Sequence, residues 1–198
     1  YALIRIEENE TDDGVVCDVC LDEEDDEGDE IVICELCLGA THQKCYGSEI
    51  LHRLPKEDED WFCQRCKTLQ NDPTKLTIDI KCQFCPELKG IMKCIDEAKN
   101  IWAHVTCVNW TNEVYFKTPE KERVIGNIPR TKRACTICTY QYGSLISCDH
   151  RGCRESFHVK CATKKGFIYH WNQMTTDCGI TKDNQPLPVY CQRHKAVG

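Results

Sequence analysis

Twenty cysteine and histidine residues, arranged in five groups of four, constrain this chain more than any other feature of its sequence. The groups use sixteen of the 18 cysteines and four of the seven histidines. The candidate ligands in chain order are Cys17, Cys20, Cys34, Cys37, His42, Cys45, Cys63, Cys66, Cys82, Cys85, His104, Cys107, Cys135, Cys138, Cys148, Cys153, His158, Cys161, Cys191 and His194. Thiolate and imidazole are the ligands that zinc prefers, and a pair two residues apart supplies two corners of a tetrahedron. The sequence therefore predicts five zinc ions.

A disulfide-rich secreted scaffold is the alternative that so many cysteines raise. Histidines argue against it, because they recur three residues before a cysteine at His42, His104 and His158, and a disulfide framework has no use for them. The chain opens on Tyr1 without an apolar secretion segment, and no run of about 18 apolar residues is present to span a membrane. We expect a reduced, intracellular, zinc-binding chain.

Metal also solves a size problem. Each ligand cluster spans only about 25 to 60 residues, too few to bury a core that folds alone. The predicted fold class is a small zinc-stabilised α+β structure, mostly loops with short strands and few helices. The predicted boundaries are a finger over 14–66, a linker over 67–81, a knuckle over 82–118, a linker over 119–134 and an extended finger over 135–195. We expect each unit to fold on its own zinc, so that His104→Ala unfolds the knuckle alone.

Charge is divided unevenly along the chain. The net charge is −7, but residues 1–80 hold 22 acidic against 7 basic side chains, giving −15, and residues 81–198 hold 10 against 18, giving +8. Solvated faces are the alternative explanation of this division. It favours two partners, a cationic one for the first part and a polyanion for the second.

The ligand order of residues 14–66 fits an interleaved cross-brace. Its first and third pairs hold one zinc through Cys17, Cys20, His42 and Cys45, and its second and fourth pairs hold another through Cys34, Cys37, Cys63 and Cys66. A β-branched run at Glu30 to Ile33 predicts a strand, bounded by a turn at Glu27 and Gly28. We expect Trp61 to pack beside the second zinc.

The remaining ligands form three quartets. Cys82, Cys85, His104 and Cys107 predict a single-zinc knuckle. Cys135, Cys138, His158 and Cys161, with Cys148, Cys153, Cys191 and His194, predict a two-zinc unit that ends in histidine. We expect the only sizeable helix to begin within Phe157–Ala162, and strands at Phe167–Tyr169 and Val189–Tyr190. Cys94 and Cys178 are left over as spare thiols.

The first unit resembles a plant homeodomain (PHD) finger. With Cys45-Tyr46-Gly47, Trp102-Ala103-His104-Val105 and Phe157-His158-Val159-Lys160-Cys161-Ala162 in place, residues 14–195 resemble the PHD finger, zinc knuckle and extended PHD finger (PZP) cassette of chromatin scaffolds. They are most similar to the BRPF and Jade families, scaffold subunits of MYST-type histone acetyltransferase complexes. The resemblance implies a nuclear chromatin reader whose partners are histone H3, nucleosomal DNA and acetyltransferase subunits.

The resemblance also implies a binding mode for the amino-terminal tail of histone H3. The tail adds as a strand to the edge formed by Asp29 to Ile33, Glu35 holds its first arginine, and Glu30 meets its first lysine. Carbonyls near Glu57 and Glu59 hold its free amine. The implied contact residues are Asp29, Glu30, Ile31, Ile33, Glu35, Glu57 and Glu59. Ala40 stands where a methyl-lysine cage has its aromatic residue, so we expect the unmodified lysine to be preferred.

Basic residues of the second half are candidates for DNA contact: Arg130, Lys132, Arg133, Arg151, Arg154, Lys160, Lys164 and Lys165. No catalytic site is expected, because four protein ligands leave a zinc ion no open position. Two alternatives stay open. One is a leukaemia-fusion-type cassette that reads a more internal H3 segment, and the other is a RING-like ubiquitin ligase, whose usual ligand spacings differ from those here.

Overall fold

The computed structural model describes residues 14–24, 26–56, 58–168, 175–177, 180–181 and 188–195. Short antiparallel strands pair two by two in this part of the chain, without a larger sheet. The strands are β1 (Ile31–Ile33), β2 (Ala40–His42), β3 (Met92–Asp96), β4 (Ile101–His104), β5 (Val114–Phe116), β6 (Val124–Gly126), β7 (Ile146–Ser147), β8 (Ser156–Phe157), β9 (Thr175–Asp177) and β10 (Ile180–Thr181). The helices are α1 (Gln43–Tyr46), α2 (Gln64–Asn71), α3 (Val105–Asn109) and α4 (Val159–Lys164). The predicted fold class is confirmed.

We refer to residues 14–66 as the first finger, 82–118 as the knuckle and 135–195 as the second finger. Each is built on the same hairpin, in which the second strand runs into a ligating histidine and a short helix follows. The pairs are β1 with β2, β3 with β4, and β7 with β8. Helices α1, α3 and α4 begin directly after His42, His104 and His158.

Tight turns between the paired cysteines have a common backbone form. The N–H groups of Leu21, Leu38 and Thr139 donate to the carbonyls of Cys17, Cys34 and Cys135 over 2.9, 2.8 and 2.9 Å. All three donors have positive φ, of 65°, 58° and 64°. The left-handed conformation closes each turn, at a cost for a side chain that has a Cβ.

The first finger forms the strand and turn that its sequence predicts. β1 pairs with β2 in the register Ile31 to His42 and Ile33 to Ala40, and Gly28 has φ 84° at the preceding turn. Trp61 is buried and meets Tyr46 edge-on, with ring centroids 5.1 Å apart. Aromatic packing therefore supplies what little core the finger has.

Two expectations about the second finger are wrong. Helix α4 has 6 residues, whereas α2 of the first finger has 8 and continues past its ligand pair to Asn71, two residues before Pro73. Phe167 and Ile168 are buried without forming a strand, and Val189 uses its carbonyl to bind the Asp149 N–H over 2.8 Å. Tyr169 lies outside the described residues, as does the spare Cys178.

Two buried lysines join the first finger to the knuckle and to the linker that follows it. Lys93 donates to Tyr46 O, Ser48 Oγ and Glu120 O over 3.1, 2.5 and 2.9 Å. Lys121 donates to the carbonyls of Lys44 and Cys45. Helix α1 ends at these carbonyls, which no further turn of helix satisfies, so the two lysines replace the missing donors.

Close backbone approaches join the other surfaces. A Cβ added at Gly47 would lie 2.5 Å from the Pro119 carbonyl oxygen, and one at Gly143 would lie 2.3 Å from the Phe84 carbonyl oxygen. Both glycines have positive φ, of 72° and 62°. Tyr142 also donates its hydroxyl to Cys82 O over 2.8 Å. The three units thus pack on one another directly, and no helix in the described ranges is both apolar and long enough to cross a membrane.

Candidate functional site

Five clusters of cysteine and histidine are assembled as the sequence predicts. In each cluster the four donor atoms lie within 4.8 Å of one another. The clusters are Cys17, Cys20, His42 and Cys45; Cys34, Cys37, Cys63 and Cys66; Cys82, Cys85, His104 and Cys107; Cys135, Cys138, His158 and Cys161; and Cys148, Cys153, Cys191 and His194. The cross-brace of both fingers follows from this grouping.

The spacing of the donors fits zinc. A tetrahedral ion with zinc–sulfur bonds of about 2.3 Å places its sulfur ligands about 3.8 Å apart. The sulfurs of Cys85 and Cys107 are 3.7 Å apart, and those of Cys153 and Cys191 are 3.9 Å apart. Since the donors are thiolate and imidazole, each cluster is suited to a structural zinc ion, whose chemistry is to hold four chain segments together.

Three ligating histidines are oriented in the same way. The Nε2 atoms of His42, His104 and His158 lie 2.6, 2.8 and 2.7 Å from the carbonyl oxygens of Glu24, Lys89 and Tyr142. Each Nε2–H therefore donates to backbone, and each Nδ1 faces the thiolates. Such outer hydrogen bonds fix the ring and its tautomer. The fourth, His194, is stacked on His150 with ring centroids 3.8 Å apart.

The backbone hydrogen bonds of β1 show which of its residues face β2. Gln43 N donates to Glu30 O over 3.1 Å, and Cys34 N donates to Gly39 O over 2.9 Å, so even-numbered residues face β2. The backbone groups of Ile33 consequently point to the other edge. Glu35 N donates to Trp61 O over 3.0 Å and closes this edge at its far end. This edge of β1 is therefore already paired at Glu35.

Two predicted contact residues differ in their surroundings. Glu35 is exposed between its cysteines, whereas Glu30 has one carboxylate oxygen buried without a hydrogen-bond partner among the described residues. A buried carboxylate oxygen without a donor is costly. Asp29 is already engaged, because its Oδ1 accepts from Lys44 N over 2.8 Å at the start of α1.

The segment predicted to hold a peptide amine closes on itself. Glu59 N donates to Lys56 O over 2.9 Å, and the Glu59 carboxylate accepts from Lys56 N and pairs with Arg53. The Lys56 N–H, followed by the Arg53 charge, lowers the pKa of Glu59. Glu57 lies outside the described residues. The carbonyl of Lys56 already accepts a hydrogen bond from Glu59 N. The amine contact near Glu57 and Glu59 stays a prediction.

Basic residues of the second half are mostly exposed, with one exception. Arg130, Lys132, Arg133, Arg151, Arg154 and Lys165 are exposed, and Lys164 forms an ion pair with Glu87. Lys160 is buried, with Nζ 3.3 Å from the position of a Cβ on Gly90. It also lies near enough to Asp18 to influence the pKa of that carboxyl group. Lys160 therefore lies between units, and its expected place on a DNA-binding surface is wrong.

Residues that join the units were not predicted from the sequence. Lys93, Lys121 and Thr106, which donates to Asp18 O over 2.8 Å, have neighbours many positions away in the chain. Lys93 lies in a strand whose first four residues are all buried, and a lysine within a short apolar run is the only signal that could have pointed to a buried ammonium.

Comparison with known proteins gives matches over most of the chain. A family model described as PHD-finger matches residues 17–66, and one described as PHD-zinc-finger like domain matches residues 80–194. Protein Jade-1 of Mus musculus is 33% identical over 192 residues, which are 94% of this chain and 21% of that protein. The protein named E3 ubiquitin-protein ligase Jade-2 of Homo sapiens is 33% identical over 196 residues, 96% of this chain and 22% of that protein. The chain thus spans about a fifth of the length of these relatives.

A solved structure is similar as well. The crystal structure of zebrafish PHF14-PZP aligns with a TM-score of 0.65 and 28% identity, covering 91% of this chain and 88% of that one. The alignment therefore covers most of both chains.

Proposed function

This chain belongs to the PHD-zinc-finger-like domain family, and from that premise we propose that it is a binding module that reads the unmodified amino-terminal tail of histone H3 through its first finger. The observation that carries the proposal is the edge of β1, which lies between an exposed Glu35 and a Glu30 with an unpartnered buried oxygen. A cationic strand would supply both the backbone pairing and the missing donors.

Charge and fold support this choice of ligand. The first 80 residues have a formal charge of −15, from 22 acidic and 7 basic side chains, and a histone tail is strongly cationic. The proposal extends to a nuclear protein that brings a histone acetyltransferase complex to chromatin, by similarity to the Jade family. It describes a recognition module, and because each zinc cluster offers four protein donors, none of the five clusters keeps an open position for catalysis at the metal.

Calorimetry tests the peptide proposal directly. The zinc-loaded chain should bind an unmodified H3 tail peptide with a Kd on the order of micromolar. Acetylating the peptide amine should abolish binding, and trimethylating its first lysine should weaken it, because each change removes donors. Glu35→Ala deletes a charge-assisted hydrogen bond and should weaken binding about 5- to 150-fold.

A matched control is Glu27→Ala, which removes the same charge from the exposed turn before β1 and should change the Kd less than twofold. If both variants weaken binding equally, the peptide is attracted by the overall negative charge of the finger and not by a specific contact with Glu35. Overlapping H3 peptides separate the alternative: tighter binding of an internal segment would favour a leukaemia-fusion-type reader. A ubiquitin-discharge assay addresses the ligase alternative that the name of Jade-2 raises.

We propose further that the exposed basic residues of the second half bind duplex DNA without sequence preference. Scattered lysine and arginine side chains bind phosphates, so affinity should fall steeply with salt. Reversing Arg130, Lys132 and Arg133 to Glu in the full chain should weaken binding and reduce the salt slope by about 0.9 for each phosphate that is no longer neutralised. Reversing Lys56, Lys75 and Lys99 makes the same charge change elsewhere, and an equal effect from both sets would contradict a defined surface.

A further inference from the structure

A cavity of about 500 Å³ lies on the second finger. We call it the distal cavity, and it is lined by Thr136, Ile137, Glu155, Lys165, Phe167, Cys191, Gln192 and Arg193. Of its lining residues, only Lys165 is among the basic residues proposed above to contact DNA. Its position within the finger shows what kind of occupant it fits.

Matching hydrogen bonds of the backbone N–H groups show which positions of the two fingers are equivalent. Cys63 N lies 3.3 Å from Cys34 Sγ, and in the second finger Cys191 N lies 3.4 Å from Cys148 Sγ. The Asp18 N to Ala40 O bond of 2.8 Å corresponds to Thr136 N to Ser156 O at 2.9 Å. By these pairs Thr136 takes the place of Asp18, Glu155 that of Gly39, and Gln192 and Arg193 those of Gln64 and Arg65.

In the first finger this same face binds a segment of the knuckle. Gln64 Oε1 accepts from Cys94 N over 2.8 Å, and Arg65 donates to Leu88 O. The face therefore recognises an extended polypeptide, residues 88–94, mainly through its backbone.

On the second finger the corresponding residues line the distal cavity. The side chain of Arg193 is 68% exposed and pairs with Glu155 at 2.9 Å, whereas Arg65 is 4% exposed. A Cβ at Gly39 would lie 2.9 Å from Ile91 Cδ1, so the glutamate at the equivalent position holds an approaching segment further away. The wider gap is the distal cavity.

The lining sets the chemistry of the occupant. Ile137 and the largely buried Phe167 provide an apolar floor. Two cations, Lys165 and Arg193, face one acid, Glu155, and within the described ranges the Lys165 ammonium has no ion-pair partner. The cavity thus favours a bulky apolar side chain next to a carboxylate.

We propose that the distal cavity binds an extended, acidic segment of a partner protein in the way that the first finger binds residues 88–94. Gln192 and Arg193 pair with the backbone of the segment, its apolar side chain covers Ile137 and Phe167, and its carboxylate pairs with Lys165. The second finger would then bind another protein with the same face that the first finger uses to bind the knuckle.

A peptide derived from the segment that binds the first finger provides the probe. It spans residues 86–96, with Cys94→Ser to remove the thiol and with Lys89→Glu and Lys93→Glu to make it acidic; a second peptide keeps both lysines. Added to the zinc-loaded, ¹⁵N-labelled full chain, the acidic peptide should shift the amide signals of Gln192 and Arg193 with a Kd on the order of 100 μM. The basic peptide should bind at least fivefold more weakly.

Variants locate the binding. The double substitution Gln192→Ala and Arg193→Ala should weaken the acidic peptide at least fivefold, and Lys165→Ala should remove its advantage over the basic one. Gln70→Ala with Arg123→Ala changes the same residue types on exposed positions elsewhere and should leave binding unchanged. Unaltered zinc content in each variant excludes loss of fold as the cause.

Two results would overturn the proposal. One is the absence of shifts at Gln192 and Arg193 with either peptide at millimolar concentration, or shifts that the double substitution leaves intact. The other is a concentration-dependent dimer in sedimentation that Arg193→Ala disrupts, since the occupant would then be a second copy of this chain.

Discussion

Lys93 is 1% exposed in the interface between the first finger and the knuckle, and its amino group donates to two backbone carbonyls and one hydroxyl. It also lies over the Tyr46 ring, 4.7 Å from its centroid. Burial, followed by the Lys121 charge, lowers the pKa of Lys93 to about 7. The three acceptors oppose this shift, because they match the three donors of the charged form. Desolvating the cation is costly, and the interface between finger and knuckle offsets that cost with hydrogen bonds.

Lys93→Met should lower the free energy of unfolding by about 1–3 kcal/mol, because three buried acceptors lose their donor while the methionine keeps most of the apolar stem in place. Urea unfolding of the zinc-loaded chain at pH 7 measures the change. Lys99→Met is the matched control, since Lys99 is 73% exposed and pairs with the nearby Asp96. A control variant that loses as much stability would contradict a specific role for Lys93.

The pH dependence of the stability difference between the wild type and Lys93→Met gives a second check. Between about pH 7 and 10 the folded state has released the Lys93 proton, but the unfolded state retains it, so folding is favoured as pH rises. Wild-type stability relative to Lys93→Met should therefore increase from pH 7 to pH 9, by up to about 1.4 kcal/mol per pH unit. A difference that stays constant would mean that Lys93 remains charged in the folded chain.

The zinc turns are the elements that the chain repeats, and they have a conformational cost. Leu38 follows the second ligand of its turn, with φ 58° and 73% exposure. Its side chain gains little from burial, and its backbone occupies a region that costs an L-residue roughly 1–2 kcal/mol.

Leu38→Gly should consequently raise stability by about 0.5–1 kcal/mol, the strain relieved less the greater chain entropy of glycine in the unfolded state. For a chain of this size that is an increase of a few degrees in the Tm. Leu36→Gly is the control, because Leu36 lies in the same turn at 51% exposure without a positive φ. Stabilisation by Leu36→Gly, or none by Leu38→Gly, would contradict the strain argument.

Local spacing explains which elements the sequence could predict. Ligand pairs, the strand at β1 and the turn at Gly28 depend on residues close in the chain, and all were predicted correctly. The length of α2 was missed because its first turn overlaps a ligand pair and hides the start of the helix. Phe167 and Ile168 have strand propensity, but in these positions they fill the core beside α4, where Phe157 packs on Phe167 at 5.3 Å.

Interactions between distant residues account for the rest. Lysine is usually a surface residue, and no residue close to Lys160 in the sequence shows that Gly90 and Asp18 lie beside it in the fold. The sequence shows that the first finger is acidic. It does not show that Asp29 accepts a hydrogen bond from Lys44 N in α1, because these two residues are 15 positions apart. Sequence spacing thus predicts the zinc clusters better than the surfaces between them.

At the scale of the whole molecule, the knuckle supports the first finger. Its hairpin positions Lys93, its helix positions Thr106, and the loop after β5 supplies Glu120, whose carbonyl accepts from Ser48 N over 2.8 Å. Lys93 donates to a carbonyl at the end of α1, and Thr106 donates to the carbonyl of Asp18 in the first zinc turn. The expectation that each unit folds independently is therefore replaced by one of coupled folding, in which five zinc ions stabilise a single cooperative structure.

His104→Ala tests this coupling, because it removes one donor of the knuckle cluster and no side chain of the first finger. Elemental analysis should give five zinc equivalents for the wild type and four or fewer for the variant, and hydrogen exchange should show reduced protection of the amides at Gln43–Gly47, more than 50 positions away in sequence. The edge of β1 adjoins β2 and α1, so affinity for the H3 tail peptide should fall as well. His52→Ala is the control, since that histidine is 76% exposed and belongs to no cluster. If His104→Ala leaves four zinc ions, full protection at Gln43–Gly47 and unchanged peptide affinity, the lysine hydrogen bonds across the interface do not couple the units, and the first finger folds on its own two ions.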